Sequence, residues 1–354
     1  MRKTYLLTKN LVGIREAYLN EIARPAFMQA TKGITPHVRQ YSIAGKRFQF
    51  TYWNQLLCEK MSPAIAHLES SVGEPEVTIN LWDSASMNTP LPLPLSQSTF
   101  FYEQSTDGKI QLEESFLGTY VPGEEFINLY DIEGGIAYFW VPDAHTIQPW
   151  LCAAPVRTLL HWCLARDGVQ LVHGACVGEA GRAVLLSAKS GSGKSTTAFA
   201  CVQAGMEYLA DDYVAVDVRN GIKAHSLYSS IKVGGEYVRE VPELAPHSMM
   251  LSPTEKKRVV FLNSVFSEQV RTSAILPALM IPVITTSPHT TIIPASKQDA
   301  LLALAPTTLF QLPLAEDRTL GYLKDLVRAL PCYFLMLGPN TTEIPSVLRS
   351  FLRA

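Results

Sequence analysis

Apolar positions along the chain change their period repeatedly, and the changes mark its elements. Near the amino end, Leu11, Ile14, Tyr18 and Ile22 recur at loosely helical spacing. They predict a helix over residues 11–23, which Pro25 should end. Phe48-Gln49-Phe50-Thr51-Tyr52-Trp53 alternates as a strand does. Pro90-Leu91-Pro92-Leu93-Pro94 is held extended by its prolines and reads as an internal connector, with a proline-rich ligand as the alternative. From residue 98 to 142 the runs are short, apolar and aromatic: Phe100-Phe101-Tyr102, Gln111-Leu112, Phe126-Ile127-Asn128-Leu129-Tyr130 and Ile136-Ala137-Tyr138-Phe139-Trp140. Asp107-Gly108, Pro122-Gly123 and Gly134-Gly135 separate them, which is the spacing of hairpins.

Beyond residue 148 the pattern becomes an alternation of helix and strand. Val156, Leu159, Leu160, Cys163 and Leu164 fall on one helical face, and that helix should stop near Asp167-Gly168. Residues 169–177 read as one strand, Gly178-Glu179-Ala180-Gly181 as a turn, and 183–187 as a second strand. Residues 195–204 read as a helix with Gly205 past its end, and 208–217 as a third strand. Strands are expected at 258–262 and 332–338, and helices at 319–330 and 344–352. The expected fold is therefore α/β, with one domain over 148–354 preceded by a mixed, β-rich domain over 1–147.

Composition narrows the class. Of 354 residues, 47% are hydrophobic and 18% charged, enough apolar material for packed cores. A net charge of −2 offers no footprint for nucleic acid. Six scattered cysteines (Cys58, Cys152, Cys163, Cys176, Cys201, Cys332) form no Cys-x-x-Cys pair and read as buried thiols. The opening Met1-Arg2-Lys3 starts like a signal peptide, but Lys9 and Asn10 interrupt its apolar run. The stretch 275–284 is too short to span a bilayer and carries two prolines. The expectation is a cytoplasmic protein without a membrane or nucleic-acid partner.

The chemistry concentrates in Ala188-Lys189-Ser190-Gly191-Ser192-Gly193-Lys194-Ser195. Between an expected strand and an expected helix this is a phosphate-binding loop, a P-loop of the Walker A kind, with Ala188 where the pattern has its first glycine. Small residues let successive backbone N–H groups surround a phosphate, and the helix N-terminus adds positive charge. Ser190, Gly191, Ser192, Gly193, Lys194, Ser195 and Thr196 are thus the expected nucleotide-binding residues. Lys194 would reach the outer phosphates, and the Ser195 hydroxyl would ligate Mg²⁺. Seventeen residues after Lys194 comes Asp211-Asp212, ending an apolar strand. Two such carboxylates beside phosphates can divide metal binding and proton acceptance; a solvated acidic turn is the alternative. His173-Gly174, one strand before the loop, could tune the acidic pair. Lys232, Lys256, Lys257, Arg258 and Arg271 are candidate phosphate clamps, with Lys232 and Arg258 favoured because each adjoins an apolar strand.

The ordered set His173-Gly174, Ser190 to Ser195, Gly205 and Ala210-Asp211-Asp212 resembles the catalytic domain of the HPr kinase/phosphorylase family, over about residues 150 to 340. That domain shares its phosphate-binding core with phosphoenolpyruvate carboxykinases. The resemblance implies an ATP- and Mg²⁺-dependent kinase acting on a serine hydroxyl of a peptide or protein, and assembly as a homo-oligomer. It implies Lys194 and Ser195 on phosphate and metal, Asp211 as base supported by His173, and Asp212 near the metal. Thr196 stands where HPr-directed members carry Glu, and their glycine-rich downstream signature is reduced to Val233-Gly234-Gly235-Glu236. This favours the divergent branch that modifies biosynthetic peptides such as lasso-peptide precursors. A small-molecule hydroxyl kinase, a carboxykinase-like phosphotransferase and a non-catalytic nucleotide-dependent binding protein are the alternatives.

Overall fold

A computed structural model of the protein describes residues 12–13, 16–93, 115–121, 125–219, 221–252, 255–312 and 316–354. The strands expected around Phe100 and Gln111, and the turns at Asp107-Gly108 and Pro122-Gly123, lie outside the described residues. The chain is a mixed α/β protein built as two compact units that interleave in sequence. One takes Met1–Ser62, Glu69–Gln148 and Val156–Cys163; the other takes Pro63–Leu68, Pro149–Pro155 and Leu164–Ala354. Among the described residues no helix is long and apolar enough to cross a membrane.

The first unit is a seven-stranded mixed sheet. Its strands are β1 (Val12–Gly13), β2 (His37–Ile43), β3 (Lys46–Tyr52), β4 (Val77–Asp83), β5 (Phe116–Val121), β6 (Phe126–Asp131) and β7 (Ile136–Val141), in the order β1-β5-β6-β7-β4-β3-β2. Its aromatic core includes Trp82, Phe116, Tyr120 and Trp140, with Phe27 edge-on to Trp53 and Trp82. Helical backbone runs from Glu16 through Ala30, so Pro25 does not end it. The Arg24 N–H reaches back five residues to the Leu19 carbonyl, and Pro25 falls at the start of the next helical segment, where an N–H is dispensable.

The second unit holds a nine-stranded sheet sandwiched between helices. Its strands are β8 (Val169–His173), β9 (Ala175–Glu179), β10 (Arg182–Leu186), β11 (Glu207–Ala210), β12 (Tyr213–Asp217), β13 (Lys223–His225), β17 (Ser273–Ile284), β18 (Thr291–Pro294) and β19 (Cys332–Leu337). The path runs β11-β9-β10-β17-β13-β12-β8, with β19 parallel to β17 and β18 on β19. Strand β10 shows why the sheet is covered twice. Val184 and Leu186 join a core with the helices Lys194–Gln203 and Ile344–Arg353, while Ala183 and Leu185 join one with Lys297–Leu309 and Glu316–Ala329. An apolar run buried on both faces is what a central strand covered by helices on both sides requires, here one parallel to β17 and antiparallel to β9. A separate antiparallel sheet of β14 (Ser230–Gly234), β15 (Ser248–Ser252) and β16 (Glu255–Phe261), in the order β14-β16-β15, packs Ile231, Val233 and Val260 into the first of these cores.

Two continuous strands expected from the sequence are broken, and at the same level. Residues 169–177 divide at Gly174 into β8 and β9, and 208–217 divide at Asp211-Asp212 into β11 and β12. The breaks meet: the Gly174 N–H donates to the Asp212 carbonyl at 3.0 Å. A Cβ on Gly174 would come within 2.7 Å of the Leu186 carbonyl oxygen, so the residue must be glycine for the strands to pass.

Candidate functional site

The glycine-rich loop leaves the carboxyl end of β10 and enters the helix Lys194–Gln203. Gly191 and Gly193 take φ of +82° and +97°, a region glycine enters freely. Ala188, in the place of the first glycine, has no positive φ, and its methyl is buried in the apolar layer, so its Cβ obstructs nothing. Lys189, Ser190, Gly191 and Thr196 are exposed, whereas Ser192, Gly193 and Ser195 are half-buried. The Ser192 hydroxyl oxygen is itself buried and has no hydrogen-bond partner among the described residues. Lys194 is only 7% exposed, and its ammonium donates to the carbonyls of Ala188 at 2.7 Å and Lys189 at 3.2 Å. Burial lowers its pKa, opposed by the charges of Asp211 and Asp212.

The acidic pair is splayed by backbone geometry. Asp212 has φ +71°, a left-handed conformation that aspartate tolerates better than most residues. The two carboxylates consequently meet different partners. Asp211 is 3% exposed; Oδ1 accepts from the Ser195 hydroxyl at 2.9 Å and Oδ2 from the Lys232 backbone N–H at 3.1 Å. Asp212 forms an ion pair with the Lys232 ammonium. Burial, then the neighbouring Asp212 charge, pushes the Asp211 carboxyl up to about 6. Burial also acts on Asp212, but the Lys232 ammonium and then His173 outweigh it and hold that carboxyl down at about 2. The pairing raises the Lys232 pKa despite its own burial.

His173 lies on β8 opposite Tyr213 of β12, with the two rings edge-to-face at 5.5 Å. Its backbone N–H donates to Thr308 Oγ1 at 3.1 Å, and its carbonyl accepts from Ser187 Oγ at 3.1 Å. It also helps to hold the Asp212 carboxyl down.

The structure thus brings Lys194, Ser195, Asp211 and Asp212 together at the start of one helix, with His173 beside Asp212. What sequence reasoning missed is Lys232 as a structural partner of both aspartates. The available signal was its place between Ile231 and Val233, which point into the core. Arg258, favoured from the sequence as a phosphate clamp, is instead engaged with Ser248, donating to its Oγ at 2.9 Å. Arg271 pairs with Glu207 at 3.2 Å, not with the acidic pair.

The donor set suits a hard cation. Among the described residues no cluster of three or more His, Cys, Asp or Glu could hold a metal. A serine hydroxyl against a buried carboxylate is an oxygen-only pair, and Mg²⁺ ordinarily takes one or two such protein ligands and completes its shell with phosphate oxygens and water.

No protein-family model matches the chain, and no curated protein matches it. Solved structures do match. One is the HPr(Ser) kinase/phosphatase from Coxiella burnetii, with 10% identity and a TM-score of 0.29, over 51% of this chain and 95% of that one. A likeness this weak transfers no residue role, and the reading of the site rests on its own geometry.

Proposed function

We propose that the chain binds ATP with Mg²⁺ and transfers the terminal phosphoryl group to a hydroxyl, that of a serine in a peptide or protein. The observation that carries this reading is the 2.9 Å hydrogen bond from Ser195 Oγ to Asp211 Oδ1, made at the first turn of the helix that follows the glycine-rich loop. Loop N–H groups and the helix N-terminus favour a phosphate there. Lys194, now bonded to loop carbonyls, supplies a cation that can turn to phosphate oxygens. Ser195 and Asp211 are the residues that would hold Mg²⁺. Held there, the ion would neutralise charge that develops on the phosphates during transfer. Asp212, with 22% of its side chain exposed and kept ionised by Lys232, stands on the acceptor side, where it would orient the hydroxyl and take its proton.

This exchanges the roles expected of the two aspartates from the sequence, because it is Asp211 and not Asp212 that meets Ser195. Phosphoryl transfer tolerates the exchange, since its loose transition state asks more of positioning and charge than of a strong base. A second reading, a nucleotide-dependent binding protein, draws on the fact that both carboxylates already have protein partners.

The test is incubation with γ-labelled ATP and a library of Ser-containing peptides, beside calorimetric titration with MgATP. Lys194→Ala and Asp211→Asn should weaken MgATP binding. Asp212→Asn should keep binding and lose transfer by roughly 10²–10⁴-fold. Wild-type binding without any label transfer would favour the second reading. Undiminished affinity in Lys194→Ala would sink the phosphate-loop assignment itself.

A further inference from the structure

We infer that Lys257 holds the terminal phosphate of the bound triphosphate, an inference resting on the nucleotide reading above. Strands β14 and β16 are antiparallel, with Lys232 opposite Val259 and Gly234 opposite Lys257. Residues opposite one another, and those two positions along, share a face. Lys257 therefore stands on the same face of the sheet as Lys232, whose ammonium meets Asp212. Arg258, one residue on, belongs to the other face. Diagonal neighbours on one face lie ~7–8 Å apart, which a lysine stem spans.

Position 232, beside which Lys257 stands, touches both aspartates: its backbone N–H donates to Asp211 Oδ2 at 3.1 Å and its ammonium pairs with Asp212. Lys257 is exposed and takes no hydrogen bond or ion pair among the described residues. The Glu236 carboxylate folds back against Gly234, opposite Lys257, without pairing with it. Two lysines near the carboxylates are already engaged: Lys194 with loop carbonyls and Lys232 with Asp212. Among the described residues the lysine left unengaged is Lys257 of β16, on the face of the sheet from which Lys232 meets the acidic pair. A chain of phosphates that begins in the loop and passes Ser195 and Asp211 ends on that side.

The test is calorimetric titration of the full chain with MgATP and with MgADP, for the wild type, Lys257→Ala and Lys257→Arg. A charge-assisted hydrogen bond to the terminal phosphate predicts that Lys257→Ala weakens MgATP binding by roughly tenfold or more. MgADP, lacking that phosphate, should change by less than about twofold, and Lys257→Arg should recover most of the loss. The nucleotide-free melting temperature should not move, because the side chain is exposed. Unchanged MgATP affinity in Lys257→Ala, or equal losses for both nucleotides, overturns the inference and leaves the nucleotide reading standing. A wild-type chain that binds neither nucleotide overturns both.

Discussion

Replacing Asp211 by Asn should make the nucleotide-free protein less sensitive to pH, and the size of the effect follows from the site. The carboxyl is displaced from 3.8 to about 6, chiefly by burial. Two units at ~1.4 kcal/mol each amount to ~3 kcal/mol. The sign is set by which state holds the proton more tightly. A folded-state pKa above the unfolded value means that this group's contribution is fully present below pH 3.8 and is lost as pH rises through about 6. The wild type should therefore lose up to ~3 kcal/mol relative to Asp211→Asn between about pH 4 and about pH 7.5. The asparagine can keep its oxygen toward the Lys232 N–H and donate its amide N–H to the Ser195 hydroxyl oxygen, so the exchange should cost at most ~1–3 kcal/mol. That cost is independent of pH and shifts the whole curve without changing its slope. Differential scanning calorimetry across this window, without nucleotide or metal, is the assay. MgATP at about a hundred times its dissociation constant should then stabilise the wild type by ~2.7 kcal/mol and the variant by much less. Parallel pH curves for the two proteins would refute the claim that Asp211 is a buried carboxylate held charged for the sake of the site.

Two further outcomes follow from the same geometry. Gly193→Ala would put a Cβ within 2.7 Å of Leu337 Cδ1 at φ +97°, whereas at Gly191, φ +82°, nothing lies within 4 Å. Calorimetric titration should show MgATP affinity falling more in Gly193→Ala than in Gly191→Ala; the opposite order would mean that the loop reshapes on binding. A fragment beginning at residue 149 lacks Pro63–Leu68, which belongs to the second unit and whose Ala64 carbonyl accepts from the Ser229 N–H at 2.7 Å. It should unfold at lower urea than the same fragment supplied with that segment through a linker, by ~1–3 kcal/mol for the orphaned buried donor alone.

The loop was legible because local chemistry specifies it. Apolar residues on one side, a helix-forming run on the other and Gly, Ser and Lys between them need no distant partner to be read. The helix Glu316–Ala329 was legible for the same reason, Leu323, Leu326 and Leu330 marking one face by spacing alone, whereas Lys297–Leu309 was not read from the sequence. The interleaving of the units was not, since Pro63–Leu68 carries no signal that it belongs with residues a hundred positions later. Arg258 was favoured because it adjoins the apolar run; only the register with β14 shows that Lys257, and not Arg258, shares a face with Lys232.

The acidic pair shows most plainly where one-dimensional reading ends. The two carboxylates are neighbours in sequence, and side chains on a continuous strand would point to opposite faces of the sheet. One would then enter a core without a partner. The break at Asp212 removes that conflict, because φ +71° redirects the chain between β11 and β12. A non-glycine residue pays for such a conformation, at ~1–3 kcal/mol, and keeps it only where surrounding contacts enforce it. Here they do: the Gly174 N–H fixes the Asp212 carbonyl, and Lys232 meets Asp211 with its backbone and Asp212 with its side chain. Gly174 is in turn required because Leu186, the last residue of β10 before the loop, passes too close for a Cβ. The loop and the strained aspartate are therefore positioned by the same strand crossing, so that a change at Gly174 should disturb the glycine-rich loop and the acidic pair together.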